Sequence, residues 1–221
     1  MKKSAYILLF SCLLLFQSCF EIIEQVFIKN DGSGNFQLVI NLSKSKTRVN
    51  SIMKMKTVNG HAVPTKAEIT EKVAAIEKTI AGTAGISNVK TNLDFTNYIA
   101  TLTCDFSKVA QLNTVVKNIN DKEKGKQKIE KSFDLDAAAN VFSRLNKFQF
   151  REDYNKMSNA DKEIFSGANY TAIYKFEKPV SQVSNKDANV SPSKKAVMLK
   201  LNVLDIITNK KSIENKITIT K

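Results

Sequence analysis

Few side chains in this sequence are equipped for covalent or acid–base chemistry, and Cys19 is the best placed of them. It follows Lys2, Lys3 and an apolar run from Ala5 to Phe16, with Gln17 and Ser18 between. A basic start, a short apolar stretch and a small residue before the cut describe a secretory signal. The run is about twelve residues, too short to cross roughly 30 Å of hydrocarbon as a helix. The other candidates lack partners in the sequence. Cys12 leaves with the signal, so Cys104 can form no internal disulfide, and no Cys-x-x-Cys or Cys/His cluster offers zinc or redox chemistry. His61, the only histidine, sits after Asn59-Gly60 and reads as a surface side chain. Asp31, Ser33 and Asn35 have the spacing of a calcium loop but lack its later bidentate carboxylate, so a turn is expected there. The remaining carboxylates are scattered and no glycine-rich phosphate loop occurs. The expectation is a protein with no catalytic residue, no metal and no cofactor.

The segment Leu15-Phe16-Gln17-Ser18-Cys19 resembles a bacterial lipobox, in the relaxed form of Bacteroidota lipoproteins, where Ser-Cys often ends the motif. Gln17 departs from the stricter version. The resemblance implies cleavage before Cys19 and acylation of its sulfur. It divides the chain into a signal peptide, 1–18, and a single lipid-anchored domain, 19–221. Each buried methylene contributes about 0.8 kcal/mol, so two or three acyl chains hold a protein on a bilayer almost permanently. The implied location is the cell envelope, with the outer membrane as the expected bilayer.

Without residues 1–18 the chain has 203 residues, enough for a real core. Hydrophobic residues make up 43% and charged ones 25%, which reads as globular and not disordered. The signal carries Lys2 and Lys3 and no acid, so the net charge of +13 falls to +11 in the mature chain. That excess favours a negatively charged neighbour such as lipid headgroups, and export argues against nucleic acid.

Phe20 to Ile28 reads as a strand in which Phe20, Ile22, Val26 and Ile28 share one face, broken only by Glu24. A strand starting this close to Cys19 leaves little slack and sets the domain against the bilayer. Asp31-Gly32 is a hairpin turn into a second strand, 36–42. Residues 44–58 suit a basic helix with Val49, Ile52, Met53 and Lys56 at helical spacing. Lys46, Arg48, Lys54 and Lys56 are its candidate contacts to an anionic surface. Thr65-Lys-Ala-Glu68 is a capping box, opening a helix whose stripe is Ile69, Val73, Ile76 and Ile80.

Residues 86–106 read as a second hairpin, with Tyr98, Ala100, Leu102, Cys104 and Phe106 alternating on its return strand, and Ser107 caps a third helix. Ile129, Phe133 and Leu135 suggest a strand, and 136–144 fits either a short helix or a turn plus strand. Phe148 to Phe150 looks extended, and 158–165 is a short helix. Residues 169–180 form a strand, 181–193 a loop, and 196–204 and 213–220 two further strands around a turn at 205–211. The pattern is α+β: a largely antiparallel sheet with two to three helices on one face.

The arrangement loosely resembles the lipid-facing lipoproteins of the LppM type. The matching pieces are Asp31-Gly32, Pro179-Val180 and the strand pair within 196–220. That family's C-terminal membrane helix has no counterpart here, so the lipid at Cys19 is expected to be the sole anchor. The leading expectation is a non-catalytic envelope lipoprotein binding a lipid-like or anionic ligand near the membrane. The alternative is a structural accessory subunit that holds another envelope protein.

Overall fold

The computed structural model describes residues 20–122, 131–145 and 150–220. The elements are, in order, β1 (Glu21–Ile28), β2 (Gly34–Asn41), α1 (Lys46–Ile52), β3 (Thr57–Val58), β4 (His61–Ala62), α2 (Lys66–Ala81), β5 (Ile86–Asp94), β6 (Ile99–Phe106) and α3 (Ala110–Lys122). They continue with β7 (Phe133–Asp136), β8 (Val141–Arg144), α4 (Arg151–Lys156), α5 (Asn159–Lys162), β9 (Asn169–Phe176), β10 (Val180–Val183), β11 (Ala188–Val190), β12 (Ala196–Asn202), α6 (Val203–Ile207) and β13 (Asn215–Ile219). A seven-stranded sheet runs β11-β12-β9-β1-β2-β6-β5, a four-stranded sheet runs β10-β13-β8-β7, and β3-β4 is a separate hairpin. The fold is α+β.

Among the described strands every pairing is antiparallel except that of β1 with β9. Strand period 2 sets which side chains meet. Ile22, Glu24, Val26 and Ile28 stand in register with Tyr170, Ala172, Tyr174 and Phe176 on one side. On the other side the same four face Ile40, Leu38, Phe36 and Gly34. Val197, Leu199 and Leu201 extend this apolar face outward through β12. Gly34 is required here: a Cβ would lie 1.8 Å from the Phe27 carbonyl oxygen and 2.8 Å from the Phe106 ring.

The four-stranded sheet and the helices cover that same face. Phe142 packs against Tyr174 and Phe176, with ring centroids 5.1 and 5.9 Å apart. Glu77 of α2 accepts from the Thr91 hydroxyl, on the β5 position paired with inward Leu102. Asn113 of α3 accepts from the amides of Ser132 and Phe133 and donates to the Phe133 carbonyl, fixing the start of β7. The expected cover of helices alone is therefore completed by a second sheet. Its Phe133, Phe142 and Ile217 are buried in the same core as the large sheet.

Glu24 breaks an otherwise apolar face, and the second sheet supplies its partner. Arg144 of β8 donates Nε to Oε1 at 3.0 Å and Nη2 to Oε2 at 3.1 Å, a two-pronged bond across the core. Tyr174 donates its hydroxyl to Oε1 at 2.9 Å, and Arg144 Nη1 donates to the Leu145 and Ser132 carbonyls at 2.8 and 3.3 Å. The guanidinium carbon lies 4.7 Å from the centre of the Phe133 ring. Burial alone would lower the pKa of Arg144, but the Glu24 carboxylate outweighs it and holds the guanidinium charged. Burial, then the Glu24 charge, raises both Tyr170 and Tyr174 well above the usual phenol range. The Tyr170 hydroxyl is buried in the same region, beside Glu24 and Tyr174.

Several local expectations are revised. Residues 44–58 are not one helix: a 3-10 turn at Ser43–Ser45 leads into the seven-residue α1, which ends before Met53. Asn59 and Gly60, both at positive φ, make the two-residue turn of the β3-β4 hairpin. Tyr98 sits at φ 56 in the β5-β6 turn, not on the strand. Residues 136–144 resolve as a turn plus strand. The strand expected to reach residue 204 stops at Asn202, whose side chain accepts from the Leu204 amide and starts α6. The expected loop 181–193 contains β10 and β11. Ile129, Phe148 and the signal lie outside the described residues; Phe150 is described, and precedes α4.

Arg144→Met leaves Glu24 buried without its guanidinium, and is expected to cost about 3–5 kcal/mol in chemical denaturation. The triple variant Glu24→Leu, Arg144→Met, Tyr174→Phe removes the three bonded side chains and should recover much of that loss, the Leu145 carbonyl being left without its Arg144 donor.

Candidate functional site

The chain enters the fold at one end of the large sheet, and its first described residue is already fixed. Phe20 accepts from the Asn169 amide through its carbonyl at 2.9 Å. Its ring meets Phe165 edge-on, with centroids 6.3 Å apart. Phe165 also meets Phe150 at 5.7 Å and Tyr154 at 5.8 Å, and Lys162 Nζ sits 5.5 Å from the Tyr154 ring centre. This aromatic collar forms because Ser158 accepts from the Asp161 amide and starts α5, which runs into a 3-10 turn at Glu163–Phe165. Cys19 itself lies outside the described residues, one position before Phe20.

The basic segment gathers at the same end. β2 runs antiparallel to β1, so Asn41 lies opposite Glu21, and α1 follows directly. Arg48, Lys54 and Lys56 are exposed and Lys46 is half-buried. Between Asp31 and Glu68 the sequence holds no carboxylate, while it carries Lys44, Lys46, Arg48, Lys54, Lys56 and Lys66. Tyr98 donates its hydroxyl to Asn50, tying α1 to the β5-β6 turn.

Asp161 joins the hairpin to the collar, a contact that sequence reading missed. It accepts from Asn59 Nδ2 at 3.1 Å and meets His61 Nε2 at 3.4 Å, while the Ser158 hydroxyl donates to it at 2.7 Å. His61, read as an isolated surface side chain, is exposed but paired. Serine, histidine and aspartate meet here in the wrong order for nucleophilic catalysis. Ser158 and His61 both bond the carboxylate, so the hydroxyl has no imidazole base. Cys104 is 3% exposed, and burial pushes its thiol up to about 11, away from nucleophilic thiolate chemistry. Among the described residues no group of three or more His, Cys, Asp or Glu could hold a metal ion.

A cavity of about 400 Å³ opens at the opposite end of the sheet, beside the Asp31-Gly32 turn. Ile28, Val109, Phe133 and Phe176 line its floor, and Lys29, Lys108 and Lys178 stand on its rim. Its carboxylates are engaged: Asp31 by Ser33, Glu177 by the Asn30 amide and Asp134 by Lys131. A shallower groove of about 440 Å³ runs along α2, lined by Val63, Pro64, Ile69, Val73 and Ile76. The capping-box stripe therefore turns only Ile80 fully into the core and leaves its first turns beside open space.

No family model matches this chain, and no curated protein does. Among solved structures, the folded domain of LppM from Mycobacterium tuberculosis, determined by NMR, is similar over 93% of both chains, with 11% identity and a TM-score of 0.45. The likeness is loose. None of the described helices is long and apolar enough to cross a membrane.

Hydrogen bonds from Ser158 and then Asn59, opposed by slight desolvation, lower the Asp161 pKa below its ordinary 3.8. A carboxylate lowered on folding supports the native contact above its unfolded pKa and loses that support as pH falls through the folded value. The hairpin is therefore expected to stay docked down to about pH 4 and to release only below it. Amide exchange across 57–62 reads this directly, and Asp161→Asn should raise exchange there at neutral pH.

Proposed function

We propose that this is a non-catalytic envelope lipoprotein, acylated on Cys19, whose domain lies against an anionic bilayer and binds a lipid-like or anionic ligand close to it. The observation that supports this reading is the fixed position of Phe20. With its carbonyl and ring both engaged, the residue next to the acylated sulfur has no tether, so the lipid chains hold the collar end of the domain at the membrane. The basic segment sits at that end with its exposed Arg48, Lys54 and Lys56, which suits attraction to headgroups. The shielded Cys104 and the carboxylate-bound Ser158 and His61 are consistent with a protein that binds and does not catalyse.

The rival reading, an accessory subunit for another envelope protein, draws on the face of the large sheet turned away from the core. It opens to solvent around Gln25, Gln37 and Thr103 and exposes Met198. A stoichiometric protein recovered with the intact chain, with no bound lipid in its native mass spectrum, would favour the rival.

Cys19→Ala is expected to move the protein from the membrane fraction to the soluble fraction; unchanged partition would reject the anchor. With the anchor removed, changing Lys46, Arg48, Lys54 and Lys56 together to Gln should weaken sedimentation with anionic vesicles. The difference should shrink as salt rises toward 1 M, where the screening length is about 3 Å. Indifference to the four changes would make the charge a solubility feature alone.

A further inference from the structure

We infer that the collar end is a bilayer-insertion surface, in which Met55 and Ile164 enter the acyl region while Arg48, Lys54 and Lys56 meet anionic headgroups. This rests on the lipid-anchored reading above and specifies the contact surface.

Five large apolar side chains are exposed among the described residues: Ile40, Met55, Ile164, Val190 and Met198. Singly, such residues need no explanation. Their distribution does, because three of the five lie at the end where the chain leaves toward Cys19. Ile164 is 45% exposed and adjoins Phe165, whose ring contacts Phe20. Met55 is 51% exposed, lies between Lys54 and Lys56, and precedes the hairpin that Asp161 clips to α5. Ile40 stands opposite Ile22, two residues from Phe20.

The occupant follows from charge and from where the chain goes. The segment from Lys44 to Lys56 carries five cations and no acid. On the neighbouring α4, α5 and following turn, Glu152, Asp153, Asp161 and Glu163 outnumber Arg151, Lys156 and Lys162 by one, so the positive excess belongs to the basic segment alone. Apolar tips ringed by lysines are the composition of interfacial membrane segments, where long basic side chains keep their charge at headgroup level. Residues 1–19 join the described fold at this end, so an acylated Cys19 would deliver the bilayer to this surface. Val190 lies toward the opposite end: through Val197 and Tyr174 it is level with Val26, five residues along β1 from Glu21, whereas Asn202 and Asn169 pair at the collar. At about 3.3 Å per residue this sets Val190 roughly 17 Å from the collar along the strands.

The protein contains no tryptophan, so one introduced residue reports its depth without background. Met55→Trp, Ile164→Trp and Val190→Trp would each be made in the full, membrane-processed chain and reconstituted into phosphatidylglycerol/phosphatidylcholine vesicles with brominated acyl chains. Quenching at positions 55 and 164 is expected to be at least about twice that at 190, with blue-shifted emission, as interfacial insertion requires. Vesicle-bound protein in which all three positions are quenched alike overturns the inference and leaves the anchor standing. Protein that fails to sediment with vesicles overturns both. A circular dichroism spectrum matching the parent establishes that each variant is folded.

Discussion

The Glu24–Arg144 bond fixes how the two sheets meet. A carboxylate and a guanidinium buried together tolerate few arrangements, because each must be matched in charge and in hydrogen bonds at the same time. Glu24 is matched by Arg144 and Tyr174, and the remaining donor arm of Arg144 is matched by backbone carbonyls. Strand side chains alternate, so a one-residue slip of β1 would carry Glu24 to the outer face and strand Arg144 in the core. A purely apolar face would resist such a slip less strongly, since Ile23 and Phe27 could replace Ile22 and Val26.

Register in β1 carries through to the collar. With β1 locked between β2 and β9, Phe20 falls beside Asn169 and Phe165, and Asn41 falls at the same edge, where it releases the chain into the basic segment. The aromatic cluster, the hairpin held by Asp161 and the lysines of 44–56 are thereby gathered at one pole. The approximately 400 Å³ cavity sits at the other. A ligand held in that cavity would lie a strand's length from the collar, whereas the groove along α2 begins beside the hairpin and thus nearer to it.

Local signals were legible wherever a short stretch satisfies itself. Asp31-Gly32 turns the first hairpin, Thr65 and Glu68 exchange their capping-box bonds, and Ser158 starts α5, each within a few residues. The basic stretch was misread because its helical spacing competes with Asn59-Gly60. The two-residue turn those residues form draws 57–62 into a hairpin and leaves α1 only seven residues. Asn202 ended β12 early for a related reason, since its side chain caps a helix that apolar alternation alone would not reveal. Glu24 was visible as the one break in an apolar face, but its partner, 120 residues away, was not.

By itself the sequence determined the α+β class, the basic excess, the Ser-Cys junction that suggests an anchor, and most strand and helix cores. These depend on side-chain periodicity and backbone preference, which neighbouring residues carry. Tertiary structure alone decided the division into two sheets, the parallel pairing of β1 with β9, the Glu24–Arg144 bond and the assembly of collar and lysines at one pole. Those depend on burial and on contacts between distant segments, whose free energy exists only once both partners have left water.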